Sequence, residues 1–325
     1  MSLYQKTKTI KRNNSNELLA LRELAIRTPV SNEKQKQFFN KQFAMAKAGH
    51  DGEVKVDRIL ERIPFPMLHT IIPDFHTQSK FGTFFQMDTL IITNRYILLL
   101  EIKNIRGQIE FYENPDQIIR TYEGVTEKLD CPIHQLNRNK KALENIVFTV
   151  TQKLPIYSAI VFCHSSAHIS NYPKTAKILY KNQVDFYIEQ LNSLPEKCNK
   201  DEYLHLVKTV NTINRNFKRI PLAVRYSIDV LALRQGIFCH SCEQIMVPAE
   251  KSTAYHCKSC DHIDKEVLSK TITSLFYILH NDLKRSDIER YLDIRTKHRV
   301  TKALAQLRCS KKGKARATRY SLPKT

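Results

Sequence analysis

The pattern of apolar and polar positions is sharpest between Phe84 and Asn104, which reads FFQMDTLIITNRYILLLEIKN. Two apolar runs rich in branched and aromatic residues flank Thr93-Asn94-Arg95, which predicts a β-hairpin that turns at this tripeptide. Side chains alternate along a strand, so Gln86 and Asp88 share a face, as do Glu101 and Lys103. Hairpin pairing brings Asp88 opposite Glu101. Two carboxylates and an ammonium then stand at the end of an otherwise apolar sheet.

The flanking patterns extend this unit. Residues 32–63 read as one long helix or two abutting ones, with Val54, Val56, Ile59, Leu60 and Ile63 at helical spacing and Pro64 and Pro66 as the stop. Gly49 and Gly52 lie just before Glu53, where backbone can approach a sheet closely. Gly107 to Phe111 reads as a third core strand. Cys131-Pro132 begins a turn and Gln135 to Phe148 a helix. Asn137, Arg138, Lys140 and Lys141 near that helix's start suit either a DNA phosphate or a solvated face. The run LPIYSAIVFC, Leu154 to Cys163, predicts a strand buried on both faces. A further strand at Ala176 to Tyr180 and helices at 183–194 and 201–217 follow. Cys163 and Cys198 read as structural. A nucleophilic or metal role for His164 and His168, which follow the buried strand, is a minor alternative.

At the chain start, residues 1–31 read as a basic arm carrying Lys6, Lys8, Lys11 and Arg12, with a short helix through Leu18 to Leu21 that ends near Pro29. A junction at 218–236 contains Lys218, Arg219, Pro221, Arg225 and Arg234. After it, Cys239-His240-Ser241-Cys242 and Cys257-Lys258-Ser259-Cys260 are separated by fourteen residues. Paired C-x₂-C knuckles at this distance predict one tetrahedral Zn²⁺ held by Cys239, Cys242, Cys257 and Cys260. Thiolates are soft ligands, and the segment is too short to fold on an apolar core alone. Four cysteines close the shell, so the site is structural. The stretch resembles a zinc ribbon spanning 236–265.

Residues 266–325 predict an amphipathic helix at Thr271 to His280, then a capping box Ser286-Asp287-Ile288-Glu289 that opens a short helix to Leu292. A turn through Asp293-Ile294-Arg295 leads to a helix at Thr296 to Leu307 with Val300, Ala303, Leu304 and Leu307 inward. A basic hairpin ends the unit. This order resembles a winged helix-turn-helix. Lys297, Arg299, Lys302, Lys311, Lys312, Lys314, Arg316 and Arg319, with His298, lie where base or phosphate contacts are expected. The bland alternative is a helical protein-interaction module with a basic tail.

Composition sharpens the choice of partner. The 325 residues carry 52 Lys+Arg against 32 Asp+Glu, a formal net charge of +20. An excess of this size points to a polyanion, with an anionic membrane surface as the competing reading. No stretch approaches 18 consecutive apolar residues and the N-terminus MSLYQKTKTI lacks a signal-peptide core, so a cytoplasmic protein without membrane spans is expected. Eight cysteines, four of them in metal spacing, fit reducing conditions better than a disulfide framework.

Two close carboxylates repel each other and are costly to bury, and a divalent cation removes both problems. Mg²⁺ or Mn²⁺ takes oxygen ligands, and Mg²⁺ needs only one or two carboxylates besides water. The motif order carries a resemblance. Asp88 with Glu101-Ile102-Lys103 looks like the PD-(D/E)xK nuclease signature. Gly49-His50-Asp51-Gly52-Glu53, Gln86-Met87-Asp88, Glu101-Ile102-Lys103-Asn104, Gly107 and Cys131-Pro132-Ile133-His134-Gln135 together resemble the nuclease-related domain, NERD, over residues 45–165. Met87 stands where the broad signature has proline. The resemblance implies an α/β restriction-endonuclease-like core over 32–222, with a mixed central sheet flanked by helices. It assigns Glu53, Asp88, Glu101 and Lys103 to the active centre, with Gln86 and Gln135 nearby.

The expected function is a Mg²⁺-dependent DNA endonuclease that docks on duplex DNA through the zinc ribbon and the α+β winged helix. In it Asp88 and Glu101 hold the metal with the Ile102 carbonyl, and Lys103 positions the attacking water. Glu53 either completes a second metal site or holds a water bound to the metal. The alternatives are a non-catalytic DNA-binding regulator with an inactive nuclease-like domain, and an RNA substrate. The sequence leaves a homodimer open.

Overall fold

The computed structural model describes residues 12, 15–79, 82–216, 219–249, 252–294 and 297–323. Lys6, Lys8 and Lys11 of the expected arm, Lys218 of the junction and Arg295 lie outside the described residues, as do the side chains of Lys297 and Arg316. The protein is a mixed α/β molecule with mixed sheets. Its contacts divide it into two compact units, residues 1–12 with 48–217, and residues 13–47 with 218–325.

The chain opens with helices α1 (Ser15–Arg27) and α2 (Glu33–Leu60). The stretch expected as one helix or two is thus one continuous helix, Glu33–Leu60, which ends before Pro64. The first unit takes α2 from residue 48 onward. It continues with β1 (His69–Gln78), β2 (Phe84–Thr93), β3 (Ile97–Lys103), β4 (Gly107–Glu113), β5 (Asp116–Tyr122), β6 (Val125–Leu129), helix α3 (Pro132–Val147), β7 (Ile156–Phe162), β8 (Ala167–Ser170), β9 (Ile178–Tyr180), and helices α4 (Val184–Asn192) and α5 (Lys200–Asn216).

The central sheet has the order β1-β2-β3-β7-β9. Strands β1, β2 and β3 are antiparallel, whereas β7 runs parallel to both β3 and β9. The hairpin turns at Asn94 and Arg95, with the Thr93 N–H donating to the Tyr96 carbonyl. Strand β3 is buried along nearly its whole length because α2 and α4 cover one face and α3 and α5 the other, as its Ile-Leu-Leu-Leu run demands.

The sequence reading differs at two places in this unit. The Gly107 strand is in the core through Ile109 and Phe111, but it joins a second sheet of order β6-β5-β4-β8 and not the central one. Gly107 marks the departure. Its φ is +91°, and a Cβ there would lie 2.4 Å from the Thr121 carbonyl oxygen, so only glycine lets the chain leave β3 at this angle. Strand β1 adds an edge to the hairpin and carries Asp74, which the sequence reading did not place.

The second unit contains α1, which buries Ala20, Leu21, Leu24 and Ala25. The arm helix is thus a core element. Helix α6 (Leu222–Arg225) and short strands β10 (Val247–Pro248), β11 (Tyr255–His256) and β12 (Ile263–Asp264) precede α7 (Val267–Ile278), β13 (Asp282–Lys284), α8 (Arg285–Leu292), α9 (Lys297–Gln306), β14 (Ser310–Lys312) and β15 (Arg319–Ser321). The last sheet has the order β13-β15-β14. Helix α7 begins four residues before the expected start, and α8 is capped two residues earlier than expected: the Lys284 N–H donates to the Asp287 carboxylate, so Ser286 is not the N-cap. Val300, Ala303 and Leu304 of α9 are buried together with Tyr291, Leu292 and Ile272.

Candidate functional site

The site of the first unit grows from the register of the hairpin. The pairs run from Ile92 with Ile97 to Thr89 with Leu100, which sets Asp88 and Glu101 just beyond the last pair. There the Asp88 carboxylate replaces the strand partner and accepts a 2.7 Å bond from the Ile102 N–H. Two residues along β3, the Lys103 ammonium reaches back 2.7 Å to Glu101 Oε1 and donates to Gln135 Oε1 of α3 at 3.1 Å. Asp88, Glu101, Lys103 and Gln135 therefore meet at one end of the sheet.

Glu101 is 1% exposed, and its Oε2 has no hydrogen-bond partner among the described residues. Burial, and then the charge of Asp88, push its pKa up to about 8. Burial raises Asp88 as well, against the opposing pull of Lys103. A carboxylate oxygen sealed from water with no donor is a high-energy arrangement that a hard cation relieves. The pair Asp88 and Glu101 matches the oxygen donor set of Mg²⁺ or Mn²⁺.

Glu53 comes from α2. Gly52 makes this possible, since a Cβ there would sit 2.6 Å from Asn104 Cβ. Asn104 in turn donates to the Ala48 carbonyl, so α2 is clamped on the end of β3. Glu53 does not join Asp88 and Glu101 in a tight trio. Among the described residues, only the four cysteines bring three or more metal-ligand atoms within 4.8 Å of one another. Arg12 accounts for the position of Glu53. Its guanidinium donates to Asp57 Oδ2 and Oδ1 at 2.5 and 2.9 Å, to Glu53 Oε2 at 3.2 Å, to the Asp88 carbonyl at 2.7 Å and to Thr89 Oγ1 at 2.6 Å.

Arg12 and Asp57 are the participants that sequence reading missed. Asp57 follows Glu53 by one helical turn and so shares its face, a signal that was available. Arg12 lies more than forty residues from each partner in a basic run, and nothing local singles it out. Gln86 is not at the carboxylate pair. It donates to Asp74 Oδ1 at 2.9 Å, and its carbonyl accepts from Asn139 of α3. Asp74 is buried, adopts φ +55° and faces the His76 ring at 3.7 Å. A cleft beside the site is lined by Lys55, Arg58, Arg106, His164, Asn104 and Asp51.

In the second unit Cys239, Cys242, Cys257 and Cys260 converge, with Sγ separations of 3.7 Å for Cys239–Cys260 and 3.4 Å for Cys242–Cys257. Tetrahedral zinc with bonds of about 2.3 Å spaces its sulfurs by about 3.8 Å, so the four thiols fit that ion. Burial opposes ionisation of Cys257, but the N–H groups of Ser259 and Cys260 and the neighbouring thiols hold it at about 7. Cys239 is lowered by the equivalent N–H groups of Cys242 and Ser241 against the same burial. A buried ion pair stands beside the first knuckle: Glu23 lies 2.8 Å from the Arg27 guanidinium and contacts His240 at 3.1 Å.

Of the expected basic contacts, Lys302, Lys311, Lys312 and Lys314 are exposed. Arg299 lies over the Tyr255 ring, and Arg319 pairs with Asp282 at 3.2 Å, so both are engaged within the protein. Among the described residues no helix is long and apolar enough to cross a membrane.

Residues 48–163 match the family model described as the nuclease-related domain, NERD. Comparison with curated proteins and with solved structures gave no match.

Proposed function

We propose that the nuclease-related domain at residues 48–163 is a divalent-metal-dependent endonuclease acting on DNA. The observation that carries this reading is the Glu101 carboxylate, buried without a donor for Oε2 beside Asp88 and anchored by Lys103. Asp88 and Glu101 hold Mg²⁺ or Mn²⁺, with the Ile102 carbonyl as third protein ligand. Such an ion, when bound, lowers the pKa of water and offsets charge developing on a phosphodiester.

The chain's own groups do the rest. The Ile102 N–H fixes one Asp88 oxygen, which leaves the other for the ion. Lys103, held between Glu101 and Gln135, would position the attacking water and stabilise the charge that develops on the phosphate. Lys55, Arg58, Arg106 and His164 line a cationic cleft suited to flanking backbone phosphates.

The second unit is read as the docking module. The four cysteines hold structural zinc as a zinc ribbon, and the run α7-β13-α8-α9-β14-β15 follows the order of a winged helix. Its exposed Lys302, Lys311, Lys312 and Lys314 suit duplex phosphates. From Lys302 onward the chain has eight Lys or Arg and no acid. That run also favours the second reading, a DNA-binding regulator without catalysis.

Plasmid cleavage with Mg²⁺ or Mn²⁺, run beside the Asp88→Ala protein, tests the proposal. Metal-dependent cutting that is lost in the variant supports it. DNA binding by wild type with no cutting under either metal transfers the weight to the regulator.

A further inference from the structure

Four buried acidic side chains and two cations gather at Asp88. Glu53, Asp57, Asp88 and Glu101 are each less than a tenth exposed, and they face two fixed cations, Arg12 and Lys103. The cations are not shared evenly. Lys103 serves Glu101, while Arg12 serves Glu53 and Asp57 and also binds the Asp88 carbonyl. Lys103 is the cation hydrogen-bonded at the Asp88–Glu101 pair, where the orphaned Glu101 oxygen is.

The shape of the Arg12 site is that of a filled cation position. All three guanidinium nitrogens donate, the pair with Asp57 is bidentate, and the side chain is 3% exposed. A guanidinium in such a fork cannot lose its proton. It is thus a permanent +1 between two α2 carboxylates one turn apart and the strand that carries Asp88. In phosphodiester-cleaving sites that use two metals, the ions stand about 3.5–4 Å apart and share carboxylates. Here the Arg12 guanidinium lies next to the acidic pair, on the Asp88 carbonyl and two α2 carboxylates.

We propose that Arg12 substitutes for a second metal ion, so that the nuclease centre holds a single divalent cation on Asp88 and Glu101 while Glu53 and Asp57 are committed to the guanidinium. Arg12 is then a positioning residue whose fixed charge sets the metal stoichiometry. The inference rests on the nuclease reading above and answers how many metals that centre takes.

The test is a count of Mn²⁺ bound to the zinc-loaded full chain, read from the electron paramagnetic resonance of free Mn²⁺ during titration. Wild type is expected to bind one Mn²⁺, lost in Glu101→Gln. Arg12→Ala removes the guanidinium from Glu53 and Asp57 and is expected to bind two, and the Arg12→Ala/Asp57→Asn protein to return to one. Arg12→Lys, which keeps the charge, is expected to stay at one. Two ions in wild type, or one ion in Arg12→Ala, overturns the proposal while the nuclease reading stands. Should Arg12→Ala fold only with Mn²⁺ present, the count on that folded form decides by the same numbers. No Glu101-dependent ion in wild type defeats the nuclease reading, and this inference falls with it.

Discussion

The backbone N–H of Ile102 donates to the Asp88 carboxylate at 2.7 Å, so a side chain takes over where the β2–β3 ladder ends. This bond orients Asp88 toward Glu101 and ties the chemistry of the site to strand register. Asp88→Ala and Lys103→Ala are both expected to reduce cleavage by on the order of 10²–10³-fold or more, the usual scale for removing a preorganised electrostatic group. DNA binding should stay near wild type in each, because the exposed lysines of the second unit are untouched. Gel-shift and plasmid assays on the same preparations check this, and loss of binding in either variant would count against these roles.

The unpartnered Glu101 oxygen implies a conflict between stability and function. With its folded pKa up to about 8 against an ordinary value of 4.5, Glu101 keeps its proton in the folded state while the unfolded chain has lost it. The folded state then binds more protons than the unfolded state, so its stability is full below the ordinary value and is lost as pH rises through about 8. Glu101→Gln stays neutral and removes that loss. Metal-free Glu101→Gln is expected to melt several degrees above wild type at pH 8–9, with little difference at pH 5; each kcal/mol is worth about 2–4 °C for a unit of this size. Added Mg²⁺ should raise wild type and leave the variant unmoved. Thermal melts at the two pH values decide it, and a variant less stable than wild type at pH 9 would contradict the sign.

Much of this site was legible because it is local. Asp88, Glu101 and Lys103 lie on two strands joined by a short turn, so alternation and register place them together. The cysteines declare themselves by spacing, since each knuckle is a turn of fixed geometry. What was hidden depends on contacts distant in sequence. Strand β1 is interrupted by Pro73 and carries polar residues at both faces, so HTIIPDFHTQ shows no clean period. Strands β5 and β6 are largely solvent-facing and lack an apolar stripe. Arg12 reads as one more cation of a basic arm until the fold brings it to residues 41 to 77 positions away.

The close fit of α2 on β3 makes a sharper test of geometry. A Cβ at position 52 would collide with Asn104 Cβ at 2.6 Å, whereas the Asn104 Cα, at 3.7 Å, is at ordinary contact distance. Gly52→Ala must therefore push α2, and Glu53 with it, away from the sheet end. Cleavage is expected to fall at least tenfold, with a stability loss of about 1–3 kcal/mol, the range for overpacking. Adding Asn104→Gly removes the colliding atoms. The double variant should recover part of both losses, a coupling that a double-mutant cycle reads directly. Additive losses would mean that the contact does not set the position of α2.

The cysteine cluster is expected to act on folding alone. Cys239 and Cys257 are buried among Met246, Tyr255 and α7 residues, so an unliganded cluster leaves thiols in the core of the second unit. Cys239→Ser should lower bound zinc from one per chain, destabilise that unit and weaken DNA binding. The Mg²⁺-dependent stabilisation that reports on Glu101 should persist, since Asp88, Glu101 and Lys103 belong to the other unit. Metal analysis with melts recorded with and without Mg²⁺ checks both halves. Full zinc content in Cys239→Ser would overturn the four-cysteine assignment, and loss of the Mg²⁺ response would show that the zinc cluster supports the acidic centre as well.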